Sequence, residues 1–239
     1  MTMQLLLRPS PLTSWGSFKG QRRMSDSPFV ESVWEGIALR AGTHLTAADG
    51  TIDLTFQKRQ GITRLLLSGP TSSAQTTMFE EGDEVLAVRL RTGVHFSFID
   101  GTKLTDVNTY LPNSSSAHFW LNNTSVAFPH FNNIETFIDQ LARSGFIQRD
   151  IVVEDALIER SRGVSLRTIQ RHFLATTGLT MNHILQIRRA EHARSLLASS
   201  HTLTSIAYEA GYSNPGHMTN AFKYFFGYTP RALRALSTK

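Results

Sequence analysis

Hydrophobic and polar residues follow two different patterns along this chain. In the first half, four short runs are rich in β-branched and aromatic residues: TIDLTF (51–56), ITRLLLS (62–68), EVLAVRL (84–90) and VHFSFID (94–100). Turn signals such as Asp49-Gly50 and Gly69-Pro70 separate these runs. Short strands at this spacing predict an antiparallel β-sandwich or barrel over about residues 33–128.

The period changes to that of a helix after residue 131. Asn132 is followed three residues later by Glu135, which is typical of a helix N-terminus. Apolar side chains then recur at helical spacing, at Ile134, Phe137, Ile138 and Leu141. We therefore predict an amphipathic linker helix within residues 132–149. Its apolar stripe could pack on the β-domain or pair with a second copy of itself.

The rest of the chain is predicted to be helical. Six helices are expected at about 151–160, 165–177, 181–198, 203–210, 214–226 and 230–236. Pro215 and Pro230 both fall at predicted helix starts, where a missing N–H costs nothing. The prediction is an α+β protein with a β-rich domain over 1–131, a linker helix over 132–149 and an all-α domain over 150–239.

A weak internal repeat lies within the helical half. The segment 165–180, SLRTIQRHFLATTGLT, aligns with 214–229, NPGHMTNAFKYFFGYT, at an offset of 49. The alignment pairs Ile169 with Met218, Phe173 with Phe222, Gly178 with Gly227 and Thr180 with Thr229. Each copy is preceded by a short helix and a glycine-containing turn, and the small Ala207 allows close helix crossing. The repeat therefore predicts two helix-turn-helix units joined by one long helix of about 18 residues, roughly 27 Å.

Composition and charge narrow the class of protein. The 239 residues contain no cysteine, which excludes disulfides, thiolate metal sites and cysteine nucleophiles. No run approaches the roughly 18 apolar residues of a membrane span, so we expect a soluble, cytoplasmic chain. Residues 1–147 carry 12 Lys and Arg against 13 Asp and Glu, whereas residues 148–239 carry 12 against 6. That excess favours an anionic partner, nucleic acid above all, although a solvated basic face would give the same count.

The outward faces of the two repeated helices carry the candidate chemistry. Ile169 and Phe173 should point inward, which places Arg167, Gln170 and Arg171 together on the opposite side. Arginine and glutamine can bind guanine and adenine edges in the major groove. The equivalent face of the second helix offers four residues: Gly216, His217, Asn220 and Lys223.

Residues 163–235 resemble the double helix-turn-helix module of AraC/XylS-type transcription regulators. The segments that carry the resemblance are SLRTIQRHFLATTGLT, RRAEHARSLLASSHTLTSIAYEAGY and GHMTNAFKYFFGYTPRALR. The resemblance implies a cytoplasmic transcription activator whose partner is double-stranded DNA. The candidate DNA-binding residues are Ser165, Arg167, Thr168, Gln170, Arg171, Gly216, His217, Asn220 and Lys223.

The sequence departs from the family pattern at three places. The first helix of the first unit, EDALIERSR, lacks the usual leucine-alanine packing signature, so we expect a distorted or less stable first unit. Met181 stands where a proline is common, and Asn220 stands where an arginine is common. The missing arginine lowers the expected affinity of the second unit for DNA.

The N-terminal half resembles, more loosely, the sensor-like domain of some of these regulators. The segments are AADGTIDLTF (47–56), LLLSGPTSS (65–73) and FEEGDEVLAVRLRTG (79–93), and they imply a cupin-like β-domain with a sensing or dimerising role. Further candidate partners are therefore RNA polymerase, a small-molecule effector and a second copy of the chain. Dimerisation is expected through the N-terminal half or the 134–141 helix.

The alternative function is a cupin-like small-molecule binder or enzyme with a helical protein-interaction appendage. The N-terminal histidines are His44, His95, His118 and His130, and they include no H-x-H pair. We therefore expect no metal site, no cofactor and no catalytic residue. Arg89 and Arg91 alternate on one predicted strand and are either exposed or available to an anionic effector.

Overall fold

The computed structural model describes residues 18–160 and 163–237. A β-rich N-terminal region is followed by an all-helical C-terminal region, which confirms the predicted fold class. Residues 1–17, which the predicted β-rich domain of 1–131 includes, lie outside the described residues. None of the helices in the two described ranges is long and apolar enough to cross a membrane.

The described part of the N-terminal region contains twelve strands. Their bounds are β1 Phe18–Met24, β2 Val30–Ala38, β3 Gly42–Thr46, β4 Asp53–Arg59, β5 Ile62–Ser68, β6 Gln75–Phe79, β7 Glu84–Leu90, β8 Val94–Phe96, β9 Asn108–Leu111, β10 His118–Leu121, β11 Thr124–Ala127 and β12 Ile147–Arg149. The main sheet has the order β1-β2-β7-β4-β5-β9, and β3–β6, β8–β12 and β10–β11 form separate pairs. Every pairing is antiparallel. The largest sheet is open, with β1 and β9 at its edges.

Alternating residues of the central strands build the N-terminal core. Leu54 and Phe56 of β4 and Leu65 and Leu67 of β5 are at most 4% exposed, and the residues between them are more exposed. This period of two is what a sheet with one covered face requires. The prediction for VHFSFID was too long, because β8 ends at Phe96 and the chain then turns.

The apolar stripe of the predicted linker helix covers that face of the sheet. Helix α1 spans Ile134–Arg143, and its four stripe residues, Ile134, Phe137, Ile138 and Leu141, are buried in the β-domain core. The Phe137 ring packs edge-on against that of Phe56, with centroids 5.8 Å apart. Of the two alternatives for this stripe, packing on the β-domain is therefore the one that the structure has, and the four side chains are not available to a second copy. β12 follows α1 and pairs with β8, so the 132–149 segment packs with the N-terminal region.

Six further helices lie in the described part of the C-terminal region, the number that the sequence predicts. They are α2 Ile151–Leu157, α3 Leu166–Thr177, α4 Met181–Leu196, α5 Leu203–Glu209, α6 Pro215–Phe226 and α7 Pro230–Ser237. They share one apolar core, in which Phe173 and Phe222 are completely buried. Ala48 of the N-terminal region belongs to the same core, so the two regions are packed together.

Candidate nucleic-acid interface

The first candidate recognition helix is α3, and local capping explains its bounds. Ser165 lies before the helix, where its Oγ accepts a hydrogen bond from the Thr168 backbone N–H at 3.2 Å. Gly178 ends the helix in the left-handed conformation with φ of +66°, which glycine adopts without strain. Ile169 and Phe173 are buried on one face, as the repeat predicts.

The opposite face of α3 presents the predicted base-contacting side chains. Arg167, Gln170 and Arg171 are all exposed. Within the described parts of the chain, none of the three side chains makes a hydrogen bond or ion pair. Ser165 and Thr168 differ from them, since their hydroxyls lie 2.9 Å apart within the cap. The structure thus divides the first unit's candidates into three free polar side chains and two capping residues.

The second candidate recognition helix, α6, is built in the same way. Asn214 Oδ1 accepts from the His217 backbone N–H at 2.9 Å, and Pro215 occupies the first helical position. Gly227 ends the helix with φ of +72°. Met218 and Phe222 are completely buried, at the positions that match Ile169 and Phe173.

Four exposed residues form the outer face of α6: Gly216, His217, Asn220 and Lys223. His217 Nδ1 lies 2.5 Å from Ser213 Oγ, which holds the imidazole at the start of the helix. In the described residues, the side chains of Asn220 and Lys223 have no hydrogen-bond partner. This face therefore carries one cationic side chain where that of α3 carries two.

In the first unit, a single carboxylate joins the two helices. Asp150 Oδ1 accepts from the Val152 and Val153 backbone N–H groups at 3.0 and 3.2 Å, which caps α2. Its Oδ2 lies 2.8 Å from His172 Nδ1 and 2.7 Å from Thr176 Oγ1, both on α3. Burial alone would raise the pKa of Asp150, but the hydrogen bonds from Thr176 and His172 outweigh it and lower the pKa.

In the second unit, apolar packing joins the two helices. Ile206 and Ala207 of α5 are completely buried beside Met218 and Phe222. The turn between the helices is tight, since the Tyr212 N–H donates to the Ala207 carbonyl at 2.8 Å and Gly211 has φ of +79°. The predicted close crossing at Ala207 is what the structure has.

The joining helix α4 adds two residues that the sequence analysis missed. Gln186 and Arg189 line a groove of about 430 Å³ together with His217, Asn220 and Tyr212. The Arg189 guanidinium lies over the Tyr212 ring, 5.8 Å from its centroid. Helical spacing could have identified this pair. Gln186 and Arg189 are three residues apart, so they share one face of α4, and this face is not the one that carries the buried Ile184 and Ile187.

Part of the positive charge of this region is structural. The Arg188 guanidinium donates to the Leu157 carbonyl at 3.2 Å, and that of Arg234 donates to the His201 carbonyl at 2.8 Å. The Arg194 guanidinium lies over the Phe226 ring, 5.0 Å from its centroid. Burial lowers the pKa of both Arg188 and Arg194. Net charge alone therefore overstates the cations available to a partner.

The N-terminal arginines are engaged within the protein. The Arg89 guanidinium forms ion pairs with Asp53 at 2.7 Å and Asp49 at 2.8 Å. Arg91, which follows the end of β7, donates to the backbone carbonyls of Ser25 and Ser27 at 2.8 Å each. The expectation that these arginines are exposed or free for an anion is therefore wrong.

No group of three or more His, Asp or Glu side chains that could hold a metal ion exists within residues 18–160 and 163–237.

A model of the helix-turn-helix domain family matches residues 160–235. That range contains both candidate recognition helices and the α4 helix between them. Residues 160–235 are an AraC-type helix-turn-helix domain.

The chain is similar to curated transcriptional activators over part of their length. It is 39% identical over 72 residues to the HTH-type transcriptional activator RhaS of Salmonella arizonae, and the same figures hold for RhaS of Salmonella newport. Each match covers 30% of this chain and 26% of the relative. The chain thus spans about a quarter of the length of the curated relatives that it matches.

Solved structures of ToxT from Vibrio cholerae are similar over a longer range. The apo form of a ToxT variant gives a TM-score of 0.43 at 12% identity, over 90% of this chain and 99% of that chain. Wild-type ToxT with bound unsaturated fatty acid gives 0.42 at 12% identity, over 90% and 98%.

Proposed function

We propose that this chain is a sequence-specific DNA-binding transcription regulator that acts in the cytoplasm. One observation carries the proposal: in an AraC-type domain, two helices at equivalent positions of a repeat, α3 and α6, present exposed polar side chains. The similarity to an activator, RhaS, favours activation of transcription, with RNA polymerase as the second partner.

Each recognition helix has its own proposed contacts. On α3, Arg167 and Arg171 suit guanine edges and Gln170 suits an adenine edge. On α6, Asn220 suits adenine, and Gly216 lets the helix N-terminus approach the duplex closely. Ser165 and Thr168 cap α3, and they lie where the backbone N–H groups of a helix N-terminus bind phosphate.

The remaining candidates are assigned to the sugar-phosphate backbone. Lys223 is one turn further along α6 than Asn220, and a lysine ammonium binds phosphate as a point charge. We add Arg189, because it lines the same groove as His217 and Asn220. It supplies a cation beside Asn220, the position at which the family pattern has an arginine.

The length of α4 supports binding to two successive major grooves on one side of the duplex. Its 16 residues span roughly 24 Å at 1.5 Å per residue. The turns and side chains at either end add the rest of the ~34 Å between successive grooves. A footprint limited to about five base pairs would show that one unit is idle.

A cleft in the N-terminal domain supports an effector-responsive regulator. About 870 Å³ of space lies at one end of the main sheet, within the usual size range for small-molecule sites. Phe56 and Leu86 contribute an apolar floor, and the paired Lys58 and Glu84 lie at the edge, with Nζ and Oε1 2.9 Å apart. A small molecule with an apolar body and a polar end fits that lining.

Selection of duplexes from a random pool by the 239-residue chain tests the DNA-binding proposal. We expect one enriched sequence, bound at least about a thousandfold more tightly than random DNA. Its log affinity should fall linearly with log salt concentration. The triple variant R167A/Q170A/R171A should lose the preference, whereas Arg143→Ala on α1, an exposed arginine of the other domain, should keep it. The proposal would be contradicted if the selection enriched no sequence, or if the triple variant kept the sequence preference of the wild-type chain. Turnover of a small molecule by the purified chain would favour the enzyme alternative.

A further inference from the structure

The N-terminal domain contacts the two recognition helices at equivalent points of the repeat. Gly178 and Gly227, which end α3 and α6, occupy matching positions. A Cβ atom on Gly178 would lie 1.8 Å from Thr105 Oγ1, and one on Gly227 would lie 2.5 Å from Leu45 Cδ2. Both helix ends are therefore pressed against the β-domain, at the end opposite to the capped N-termini.

The contact with the first unit is made by residues 101–105, a turn of 3-10 helix and the residues after it. Thr105 Oγ1 lies 3.4 Å from the carbonyl oxygen of Thr177, near the end of α3. A Cβ atom on Gly101 would lie 2.7 Å from the backbone carbonyl oxygens of Ala175 and Thr176. The two backbones are thus as close as a glycine allows.

The contact with the second unit uses backbone hydrogen bonds. The Ala48 N–H donates to the Phe225 carbonyl at 2.8 Å, and the Ala74 N–H donates to the Tyr224 carbonyl at 3.0 Å. The last carbonyls of a helix have no partner within the helix. Two loops of the N-terminal domain therefore satisfy the end of α6, and Ala48 is 1% exposed.

The same loops also hold the start of α4, which joins the two units. A Cβ atom on Gly50 would lie 2.3 Å from Ile184 Cδ1, and His183 Nε2 lies 2.9 Å from the Ser72 carbonyl oxygen. The Arg89 ion pair with Asp49 holds the loop that carries Ala48 and Gly50. The N-terminal domain thus contacts the first unit, the second unit and the helix between them.

We propose that the N-terminal domain fixes the separation and orientation of the two recognition helices. It thereby fixes the spacing that the chain accepts between two half-sites, the stretches of duplex that α3 and α6 each contact. This rests on the proposed DNA-binding function. Each base pair inserted between half-sites adds about 3.4 Å and about a tenth of a turn. The β-domain holds both helices at their C-termini, in addition to the apolar core that the six helices share, so they cannot follow that displacement. Units held by the shared helical core alone could shift relative to each other.

The test measures the affinity of the 239-residue chain for the selected duplex and for duplexes with one base pair inserted or removed between half-sites. The wild-type chain should lose at least about tenfold in affinity for either change, as when the contacts of one unit are lost. Gly101→Ala adds a methyl group at the contact with the first unit, and Gly50→Ala adds one at the contact with the start of α4. Neither glycine has a positive φ. Each variant should reduce that spacing penalty to about twofold to threefold, with single half-site affinity unchanged.

A matched control is Gly61→Asn, in the turn between β4 and β5, where a Cβ atom meets nothing within 4 Å. Asparagine tolerates its positive φ, so spacing preference should stay as in the wild type. Folded Gly101→Ala and Gly50→Ala chains that keep the wild-type spacing penalty would overturn the inference. Absence of any duplex binding by the wild-type chain would instead be a failure of the proposed function.

Hydrogen exchange tests the inference without any substitution. The amides of Ala48 and Ala74, which bond to the end of α6, should remain protected when the wild-type chain binds its selected duplex. Loss of that protection on DNA binding would show that the domains separate to bind, and would overturn the inference even if the variants failed to fold.

Discussion

The two helix-turn-helix units share a repeat, yet different forces close them. In the second unit, α5 buries Ile206 and Ala207 completely against α6. In the first, α2 buries Val153 completely, and Asp150 bridges the cap of α2 to two side chains of α3. The first unit thus adds a carboxylate bridge to the apolar contact of Val153, whereas the second unit is closed by the apolar packing of Ile206 and Ala207.

The largest effect should come from the position at which the two units are alike. Phe222→Ala should lower the free energy of unfolding by about 3–5 kcal/mol, because a completely buried ring is replaced by a cavity. Phe173→Ala, its counterpart in the repeat, should cost a similar amount. Urea unfolding followed by far-UV circular dichroism measures both. Leu174→Ala, at a 44% exposed position of α3, is the control and should change stability by less than about 0.5 kcal/mol. A loss below about 1 kcal/mol at Phe222 would contradict the packing described for α6.

The next effect should separate the units. Asp150→Ala removes a helix cap and two hydrogen bonds to a carboxylate, so it should cost about 2–3 kcal/mol. Thr202→Ala removes the cap of α5, where Thr202 Oγ1 accepts from the Ser205 N–H at 3.1 Å. It should cost about 1 kcal/mol, since among the described residues that hydroxyl has no other hydrogen-bond partner. Equal losses in the two variants would show that the bridge to α3 contributes no stability.

DNA binding should divide between the units as well. Arg171→Ala should cost about 1–3 kcal/mol on the selected site and relax preference at one or two base pairs. Lys223→Ala should weaken all duplexes about equally and reduce the salt slope by roughly one ion. Affinities for the selected and substituted duplexes at several salt concentrations give both quantities. If Arg171→Ala leaves base preference intact and lowers only the salt slope, then Arg171 contacts phosphate. Helix α3 would then not be the main source of base specificity.

The smallest expected effect concerns acid. The pKa of Asp150 is lowered from its ordinary value of 3.8 in the folded chain. A lowered pKa means that the ionised bridge stabilises the fold above that ordinary value, and that this stability is lost as the pH falls through the folded pKa. The wild-type helical region should therefore lose more stability than Asp150→Asn when the pH is lowered from about 5 to about 3. Parallel pH profiles for the two proteins, measured by circular dichroism, would refute the bridge.

Local signals made much of the helical region predictable. Ser165, Asn214, Gly178 and Gly227 each act through atoms within a few residues, so the sequence shows both the start and the end of α3 and α6. The helical spacing of apolar residues also correctly predicted that Phe173 and Phe222 lie in the core. The strands were harder to find, because β1, with the sequence FKGQRRM, lacks an apolar alternation and forms its strand by pairing with β2.

Contacts between distant parts of the chain were beyond such patterns. Sequence alternation suggested that Arg89 and Arg91 are exposed or available to an anion. Arg89 instead pairs with Asp49, which lies 40 residues earlier in the chain, so this ion pair depends on the tertiary fold. The same holds for Ala48 and Phe225, which join the two regions. In the candidate interface, the α3 and α6 faces followed from helical period, whereas Arg189 became a candidate once the groove beside Asn220 was visible.

The passage from strand β12 to helix α2 limits how this chain can be recombined with others. β12 ends at Arg149, α2 begins at Ile151, and the single residue between them donates its backbone N–H to the Gly93 carbonyl at 2.8 Å. A chimaera that grafts residues 150–239 onto a foreign sensor must therefore supply a paired strand ending one residue before the helix. A flexible glycine-serine linker would keep both domain sequences intact. It would remove the direct connection from the paired strand to α2, so the position of α2 would no longer be fixed by the sensor domain.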